Sequence, residues 1–385
     1  MAHFTLPAHV ITGEHILKEA VPYFKEMGTQ GLIVTGRHVV KSEMMEELKT
    51  VLKENGIGYT VFSGVSGEPE DWMAEEGKEL YLKNSCDFVI GIGGGSALDT
   101  AKAIAAAVAW DGDLSDFNGG EITKCACKIA AIPTTAGTGS EATRFTVITD
   151  TKRDIKMLLK GSCLMPYLAV VDETYNMSAP KTVAVSTGLD ALTHAVEAYI
   201  SQKAMDLTDT LAISAVKRIL TYLPKACRDR NDKEAGRQMA LAALEAGICI
   251  NNSSVTLVHG MSRPLGALFH VPHGMSNAML LYTCLTFVKD VSGRQFAQLA
   301  KEAGIVDREE NQEQAAEAFL KKIKELCDIC QVPSIKEYGI QESSYLEQID
   351  KMARDALDSG SPSNVRKEIS MEDVKELYRK AYENK

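Results

Sequence analysis

The sequence predicts an α/β amino-terminal domain with a parallel sheet, followed by an all-α carboxy-terminal domain. From Gln30 to Cys163, short apolar runs alternate with helical segments, which is typical of parallel strands joined by helices. Beyond Ser178, strand signals almost vanish, and long stretches keep the apolar spacing of about 3.6 residues that indicates helices. The expected domains are therefore residues 1–177 and 178–385, packed tightly with a cleft between them.

The predicted strands are apolar runs that end in turn residues. They cover 31–36, 59–64, 87–95, 128–135 and 167–172. Helices are predicted where apolar spacing fits a helix and Asn or Gly closes the segment. In the first domain they cover 41–56, 70–85 and the alanine-rich stretch after 95, and in the second they cover 181–201, 206–222, 233–250 and 311–328.

Composition excludes several classes of protein. The 385 residues are 45% hydrophobic and 24% charged, as is usual for globular proteins. The formal charge of -10, without a basic cluster, argues against nucleic acid as a partner. No apolar run approaches the length of about 20 residues that spans a bilayer, so we expect a cytoplasmic protein without a membrane partner. Cys327 and Cys330 lack the second pair that a zinc site needs, so reduced thiols are expected.

A glycine-rich turn follows the third predicted strand. It holds Gly91, Gly93, Gly94, Gly95 and Ser96, which lie at the end of this strand and before the alanine-rich helix. Such a turn directs backbone N–H groups and a helix amino terminus towards a pyrophosphate. Ser96 replaces the third glycine of the G-x-G-x-x-G pattern, so a purely structural turn is the alternative.

A second polar turn, 132–143, follows the next predicted strand. It offers Thr134, Thr135, Thr138 and Ser140. Because parallel strands end at one edge of the sheet, where ligands bind, the two turns together predict a Rossmann-like domain that binds a dinucleotide.

Four residues of the second domain suit a metal. Asp190 and His194 are four residues apart on a predicted helix, so their side chains project from one face. His259 and His273 follow, each directly before a glycine. One carboxylate and three imidazoles would suit Fe²⁺ or Zn²⁺ and leave a position open for a substrate oxygen. For Asp190 and His194 alone, a helix cap or a core histidine is the alternative.

The motifs GGGSALDTAK, PTTAGTGSEAT, GLDALTHAVEAY and VHGMSRPLGALFHVPHG resemble those of the iron-containing (group III) alcohol dehydrogenases, whose fold groups with dehydroquinate synthase. The resemblance extends from residue 5 to about residue 380. It implies an oxidoreductase that transfers a hydride between NAD or NADP and a small alcohol or aldehyde, with Fe²⁺ as the metal and Zn²⁺ as the alternative.

The resemblance also implies roles for individual residues. The implied metal ligands are Asp190, His194, His259 and His273. The implied cofactor contacts are Gly94, Gly95, Ser96 and Asp99 at the diphosphate, Thr134, Thr135 and Thr138 at the nicotinamide side, and Lys156 at the ribose.

One position departs from the family pattern. Where many relatives have a second histidine in H-x-x-x-H-x-L-G, this chain has Arg263, which does not transfer protons near neutral pH. His270, three residues before His273, is therefore our candidate for proton transfer, and an exposed turn histidine is the alternative. Arg263, one helical turn after His259, suggests a contact with a substrate carboxylate. The alternatives for Arg263 are a salt bridge to an acidic neighbour and a contact with cofactor phosphate.

The turn after the first predicted strand bears on the choice of dinucleotide. Enzymes that prefer NAD commonly carry an acidic side chain at the end of this strand. Here Gly36 takes that position and Arg37 follows, so a 2′-phosphate could pair with the guanidinium. The prediction is NADP(H). Glu68, from a segment that lines the same ribose pocket in the family, would instead favour NAD(H) if it supplied the missing acid.

Two alternative functions stay open at this point. One is a sister activity on the same scaffold, namely a glycerol, maleylacetate or hydroxy-acid/oxo-acid oxidoreductase. The other is an inactive nucleotide-binding protein, which would be expected to lack a ligand, whereas all four are present. We also expect a small-molecule alcohol or aldehyde as substrate and a homodimer.

Overall fold

The computed structural model describes residues 3–153 and 155–383. It divides into two compact units, of which the first is Phe4–Ala179 and the second begins at Pro180.

Six parallel strands and a separate hairpin form the sheets of the first unit. In chain order, the strands are β1 (His9–Gly13), β2 (Gln30–Gly36), β3 (Gly58–Val65), β4 (Phe88–Gly93), β5 (Lys128–Pro133), β6 (Phe145–Asp150), β7 (Ile155–Lys160) and β8 (Leu168–Asp172). The parallel sheet has the order β1-β8-β5-β4-β2-β3, while β6 and β7 pair with each other in antiparallel orientation. The predicted parallel α/β sheet is confirmed.

Strand β1 and the hairpin are additions to the prediction. β1 pairs with β8 at the edge of the sheet, and its side chains alternate between exposed and partly buried. It therefore lacks the continuous apolar run by which the central strands were recognised.

Helices cover both faces of the sheet. They are α1 (Val21–Met27), α2 (Glu43–Glu54), α3 (Asp71–Lys83) and α4 (Gly95–Ala107). Ile33 of β2 packs in a core with α1 and α2, whereas its neighbours Leu32 and Val34 pack in a second core with α3 and α4. Alternate side chains of a strand point to opposite faces, so a strand buried on both faces reads as an unbroken apolar run.

The strand order reverses at β2. Strand β3 lies on one side of β2, and β4, the next strand of the chain, lies on the other. Such a reversal opens a crevice at the carboxyl ends of the strands, where ligands of doubly wound sheets bind. The glycine turn after β4 and the end of β2 at Gly36 both lie at this edge.

The second unit is helical throughout its described part, which confirms the all-α prediction. Its helices are α5 (Lys181–Ile200), α6 (Asp206–Arg228), α7 (Lys233–Asn252), α8 (Leu257–Phe269), α9 (His273–Phe287), α10 (Lys289–Glu302), α11 (Gln312–Ile329), α12 (Glu342–Asp358) and α13 (Met371–Glu383). From Gly188 to Ile200, α5 is buried on all sides. Polar side chains in this stretch must therefore find partners inside the protein.

None of the described helices is by itself long and apolar enough to cross a membrane. Helices α7 and α8 are long and apolar enough only when taken as a pair, and the chain bends by 102° between them.

Candidate functional site

Three helices of the second unit bring the four predicted metal ligands together. Asp190 and His194 lie on α5, His259 lies on α8, and His273 is the first residue of α9. One potential ligand atom from each of these residues lies within 4.8 Å of those of the other three. Elsewhere in the described chain no comparable cluster of metal-binding side chains occurs, and Cys327 and Cys330 are free thiols.

The separations within this cluster suit a divalent ion. Oδ1 of Asp190 lies 3.8 Å from Nε2 of His194, 3.6 Å from Nε2 of His259 and 3.7 Å from Nε2 of His273. Ligand atoms held about 2.1 Å from a tetrahedral metal are about 3.4 Å apart. Three imidazole nitrogens and a carboxylate, without a thiolate, match the preferences of Fe²⁺ and Zn²⁺. The residues present therefore fit the metal.

The environment of the cluster keeps its carboxylate ionised. Asp190 is 1% exposed. Its burial disfavours the charged form, but the charges of the adjacent histidines outweigh that effect, so the pKa of Asp190 is lowered. A buried anion among imidazoles is the electrostatic arrangement that a cation site requires.

Helix α5 contributes one acidic residue that sequence reasoning missed. Glu197 is fully buried, and its Oε2 accepts a 2.6 Å hydrogen bond from Nδ1 of His259. This contact leaves Nε2 of His259 facing Asp190. Metal-binding histidines commonly donate their other ring N–H to a carboxylate in this way. The sequence did contain a signal for Glu197, because Asp190, His194 and Glu197 follow the i, i+4, i+7 spacing of one helix face.

Asn277 is a second residue that sequence reasoning missed. It is fully buried on α9, one turn after His273, and its Nδ2 donates a 2.7 Å hydrogen bond to Oδ1 of Asp190. The same nitrogen lies 3.1 Å from Nε2 of His259 and 3.3 Å from Nε2 of His273. The amide thus fixes the carboxylate on which the cluster is centred. A single asparagine in an apolar helix carries no periodic signal in the sequence.

In the first unit, the two polar turns lie side by side. Gly94 caps the amino terminus of α4. A Cβ atom on Gly95 would lie 2.6 Å from Cγ2 of Thr138, and one on Gly94 would lie 3.5 Å from Cγ2 of Thr135. Position 95 therefore requires glycine, because the second turn covers it. The first N–H groups of a helix lack intrahelical acceptors, so α4 offers donors here, and Ser96 lies in its first turn.

Asp99 links the two turns. Its Oδ1 accepts a 2.6 Å hydrogen bond from Oγ of Ser140, and its Oδ2 accepts a 2.8 Å hydrogen bond from the backbone N–H of Val147. Both carboxylate oxygens are thus engaged within the protein, and the contact joins α4 to the second turn and to β6. Thr134 joins the same assembly, since its backbone N–H donates to the carbonyl of Gly93 at 2.8 Å.

The residues predicted to determine the preference for NADP(H) or NAD(H) differ in their contacts. Arg37 is exposed directly after β2 and forms no ion pair with any described residue. Glu68 instead lies 3.3 Å from Nζ of Lys156 on β7. At Gly36 an added Cβ would lie 3.2 Å from the carbonyl oxygen of Val65. An aspartate at position 36 would therefore require a small movement of β3.

The two candidates for contact with substrate differ in exposure. Arg263 is partly buried on α8, and its Nη1 donates a 3.1 Å hydrogen bond to Oγ of Ser361. His270 is exposed at the end of α8, with a left-handed backbone φ of 52°. The structure does not group His270 with the four clustered residues.

Comparison with known proteins covers both units. The sequence-family model "Iron-containing alcohol dehydrogenase" matches residues 7–173. A second family model, "Fe-containing alcohol dehydrogenase family, C-terminal", matches residues 184–382. The chain belongs to the iron-containing alcohol dehydrogenase family. It is 32% identical to an NAD-dependent methanol dehydrogenase of Bacillus methanolicus, over 99% of this chain and 100% of that protein. It is also 32% identical to an NADPH-dependent butanol dehydrogenase of Clostridium saccharobutylicum, over 99% of this chain and 98% of that protein.

Solved structures of the family share the fold. A crystal structure of 1,3-propanediol oxidoreductase matches with a TM-score of 0.95 at 30% identity, over 99% of this chain and 100% of that one. As a member of this family, the chain is an iron-dependent alcohol dehydrogenase. It transfers a hydride between NAD(P) and a small alcohol or aldehyde.

Proposed function

We propose that Asp190, His194, His259 and His273 hold the catalytic metal, with Fe²⁺ preferred to Zn²⁺, and that the alcohol or aldehyde reacts there. The main support is that one potential ligand atom from each of the four residues lies within 4.8 Å of the other three, inside a helical core. A divalent ion bound by them would supply a Lewis acid that stabilises negative charge on the substrate oxygen. Glu197 holds the His259 imidazole in the tautomer whose Nε2 is free to ligate, and Asn277 holds Asp190.

We propose further that the first unit holds the dinucleotide, whose nicotinamide supplies or accepts the hydride. Gly94, Gly95 and Ser96 present N–H groups to the diphosphate, while Thr134, Thr135 and Thr138 line the nicotinamide side. Support comes from the contact between the two turns at the carboxyl edge of the sheet. Asp99 acts by holding the turns together, because its oxygens already have protein partners. We assign the ribose contact to Lys156, whose Nζ lies 3.3 Å from Glu68.

NADP(H) is the proposed form of the cofactor. The guanidinium of Arg37 is exposed and forms no ion pair with the described residues. It directly follows β2, and the end of this strand commonly contacts the adenosine ribose in doubly wound folds, so we assign it to the 2′-phosphate. Glu68, the alternative acid for an NAD ribose, pairs with Lys156. This pairing lowers the negative charge that would repel the phosphate.

His270 is proposed as the residue that exchanges protons with solvent. Its exposure at the end of α8, three residues before His273, supports this assignment. Replacement by Gln should slow turnover at saturating substrate while bound metal is kept. Turnover equal to that of the wild type would exclude the role.

The test of the proposed function is His259→Ala. The variant should lose bound metal and nearly all turnover while it still binds dinucleotide. His9→Ala, which removes a histidine of the first unit, serves as the control and should keep both. A fully active variant without metal would refute the proposal. Failure of anaerobic Fe²⁺ to restore activity to metal-stripped enzyme would refute the choice of iron.

The homodimer in the cytoplasm stays a prediction, and sedimentation equilibrium tests its stoichiometry.

A further inference from the structure

Arg263 lies on α8, the helix that carries His259. It lies one helical turn, or roughly 6 Å along the axis of α8, after His259. Its Nη1 donates to Oγ of Ser361, and Ser361 is itself 5% exposed. No ion pair joins Arg263 to any carboxylate in the described chain. The guanidinium is thus held in place by a neutral hydroxyl and lacks an anionic partner.

The acid that acts electrostatically on Arg263 cannot serve as that partner. Glu197 is the acid whose charge acts on Arg263. Its oxygens already accept hydrogen bonds from the Thr256 hydroxyl, the Val258 N–H and the His259 ring. Arginine keeps its charge under all ordinary conditions, although burial lowers the pKa of Arg263. A partly buried cation without a counter-ion is costly, so an anionic ligand is the partner that this environment lacks.

The packing around Arg263 also restricts its direction. Pro362, directly after Ser361, lies against α8, because a Cβ atom on Gly260 would be 2.8 Å from Cδ of Pro362. Asn364 extends this contact by donating 2.9 Å hydrogen bonds to Oγ of Ser254 and to the carbonyl of Val255. The 361–364 segment is therefore anchored to the start of α8. An anchored hydroxyl limits the rotamers of the guanidinium, as a binding residue requires.

We propose that Arg263 binds a carboxylate on the substrate, so that the enzyme acts on short aldehydes and alcohols that also bear an acid group. The inference rests on the proposed metal centre at His259. The fork of a guanidinium matches the two oxygens of a carboxylate. In the direction of reduction, an oxo-acid, NAD(P)H and a proton give the hydroxy-acid and NAD(P)⁺. The hydride forms the new C–H bond, and the proton goes to the carbonyl oxygen.

The first experiment compares 4-oxobutanoate with its methyl ester, which has the same aldehyde but no charge. Wild-type enzyme should prefer the acid in kcat/KM by at least about tenfold, because hydrogen bonds to charged groups contribute roughly tenfold to a hundredfold in affinity. Arg263→Leu should abolish this preference, and Arg263→Lys should keep part of it. Arg237→Leu, which removes an exposed arginine paired with Glu234, is the matched control and should leave the preference unchanged.

A second measurement does not depend on turnover. Butanoate and butanamide are titrated calorimetrically into the metal-loaded enzyme with oxidised cofactor. Butanoate should bind at least about tenfold more tightly, and Arg263→Leu should remove the difference. Equal binding of the two compounds by the wild-type enzyme would overturn the idea without any variant, and Arg263→Lys supplies a second variant if Arg263→Leu is unstable.

The outcomes separate this inference from the proposed function. Equal kcat/KM for acid and ester in the wild-type enzyme, with metal bound, would overturn the role of Arg263 alone. A raised KM for the dinucleotide in Arg263→Leu, with the acid preference intact, would also overturn it and would assign the guanidinium to a cofactor phosphate. Absence of bound metal and of activity on every aldehyde would instead refute the proposed function.

Discussion

Replacement of Glu197 by Gln tests how the metal centre is held. The change keeps the size of a fully buried side chain but converts one acceptor oxygen into an NH₂ donor. At present Oε1 accepts from the Thr256 hydroxyl at 2.7 Å and from the Val258 N–H at 2.6 Å. Oε2 accepts from Nδ1 of His259 at 2.6 Å and from the His259 backbone N–H at 3.4 Å. In either orientation, the new NH₂ group would face a donor.

The consequence for the metal follows from the histidine tautomer. If the NH₂ group faces Nδ1, the ring must accept there and carry its proton on Nε2, the atom that faces Asp190. A protonated Nε2 cannot ligate. If the amide turns the other way, the Val258 N–H loses its acceptor inside the protein, and the bond to His259 loses its charge. A charge-assisted hydrogen bond is worth about 1.5–3 kcal/mol. We therefore expect metal affinity to fall by about 10-fold to 100-fold.

Competition between the apoprotein and a chromogenic chelator measures this affinity directly. Glu245→Gln is the matched control, because Glu245 is a partly buried acid on α7 that bonds Ser214 and Arg218 rather than the cluster. The control should bind metal as the wild type does, even if the loss of its ion pair lowers the melting temperature. Wild-type metal affinity in Glu197→Gln, with the fold intact by circular dichroism, would refute the reasoning.

Three further predictions concern the first unit. Arg37→Ala should lower kcat/KM for NADP(H) by about 10-fold to 100-fold and change that for NAD(H) little, whereas a native preference for NAD(H) would contradict the proposed cofactor. Burial raises the pKa of Glu141 from its usual 4.5 to about 7, so the folded state binds more protons than the unfolded state between these values. The free energy of unfolding should therefore fall by up to about 3 kcal/mol as pH rises from 4.5 to 7. Glu141→Gln should remove this slope in denaturation curves measured across that range, and an unchanged slope would assign it to other groups. Gly95→Val should weaken dinucleotide binding, measured by fluorescence titration, because the side chain collides with Thr138, while metal content stays that of the wild type.

Much of the molecule follows from local patterns in the sequence. The central strands are unbroken apolar runs because both faces of the sheet are covered, and the helices of the second unit keep their period over many turns. The four clustered residues were identifiable because chemistry and spacing are local properties: Asp190 and His194 share one helix face, and the stretch 178–385 contains only one histidine outside the cluster. Glycine at position 95 was likewise visible as part of a strand, turn and helix.

Only the tertiary structure decided the partners of these residues. Glu197 contacts His259 because α5 packs beside the start of α8, and no periodicity within either helix indicates which acid lies behind which histidine. Asp99 has the sequence position of a cofactor contact, yet packing of α4 against the second turn engages both its oxygens. For Arg263, the sequence shows only that the side chain is charged. The structure adds that no carboxylate of the described residues forms an ion pair with it, which is the observation that suggests an anionic ligand. Side-chain chemistry is carried by single residues, but its solvation and partners depend on distant segments that meet only when the chain folds.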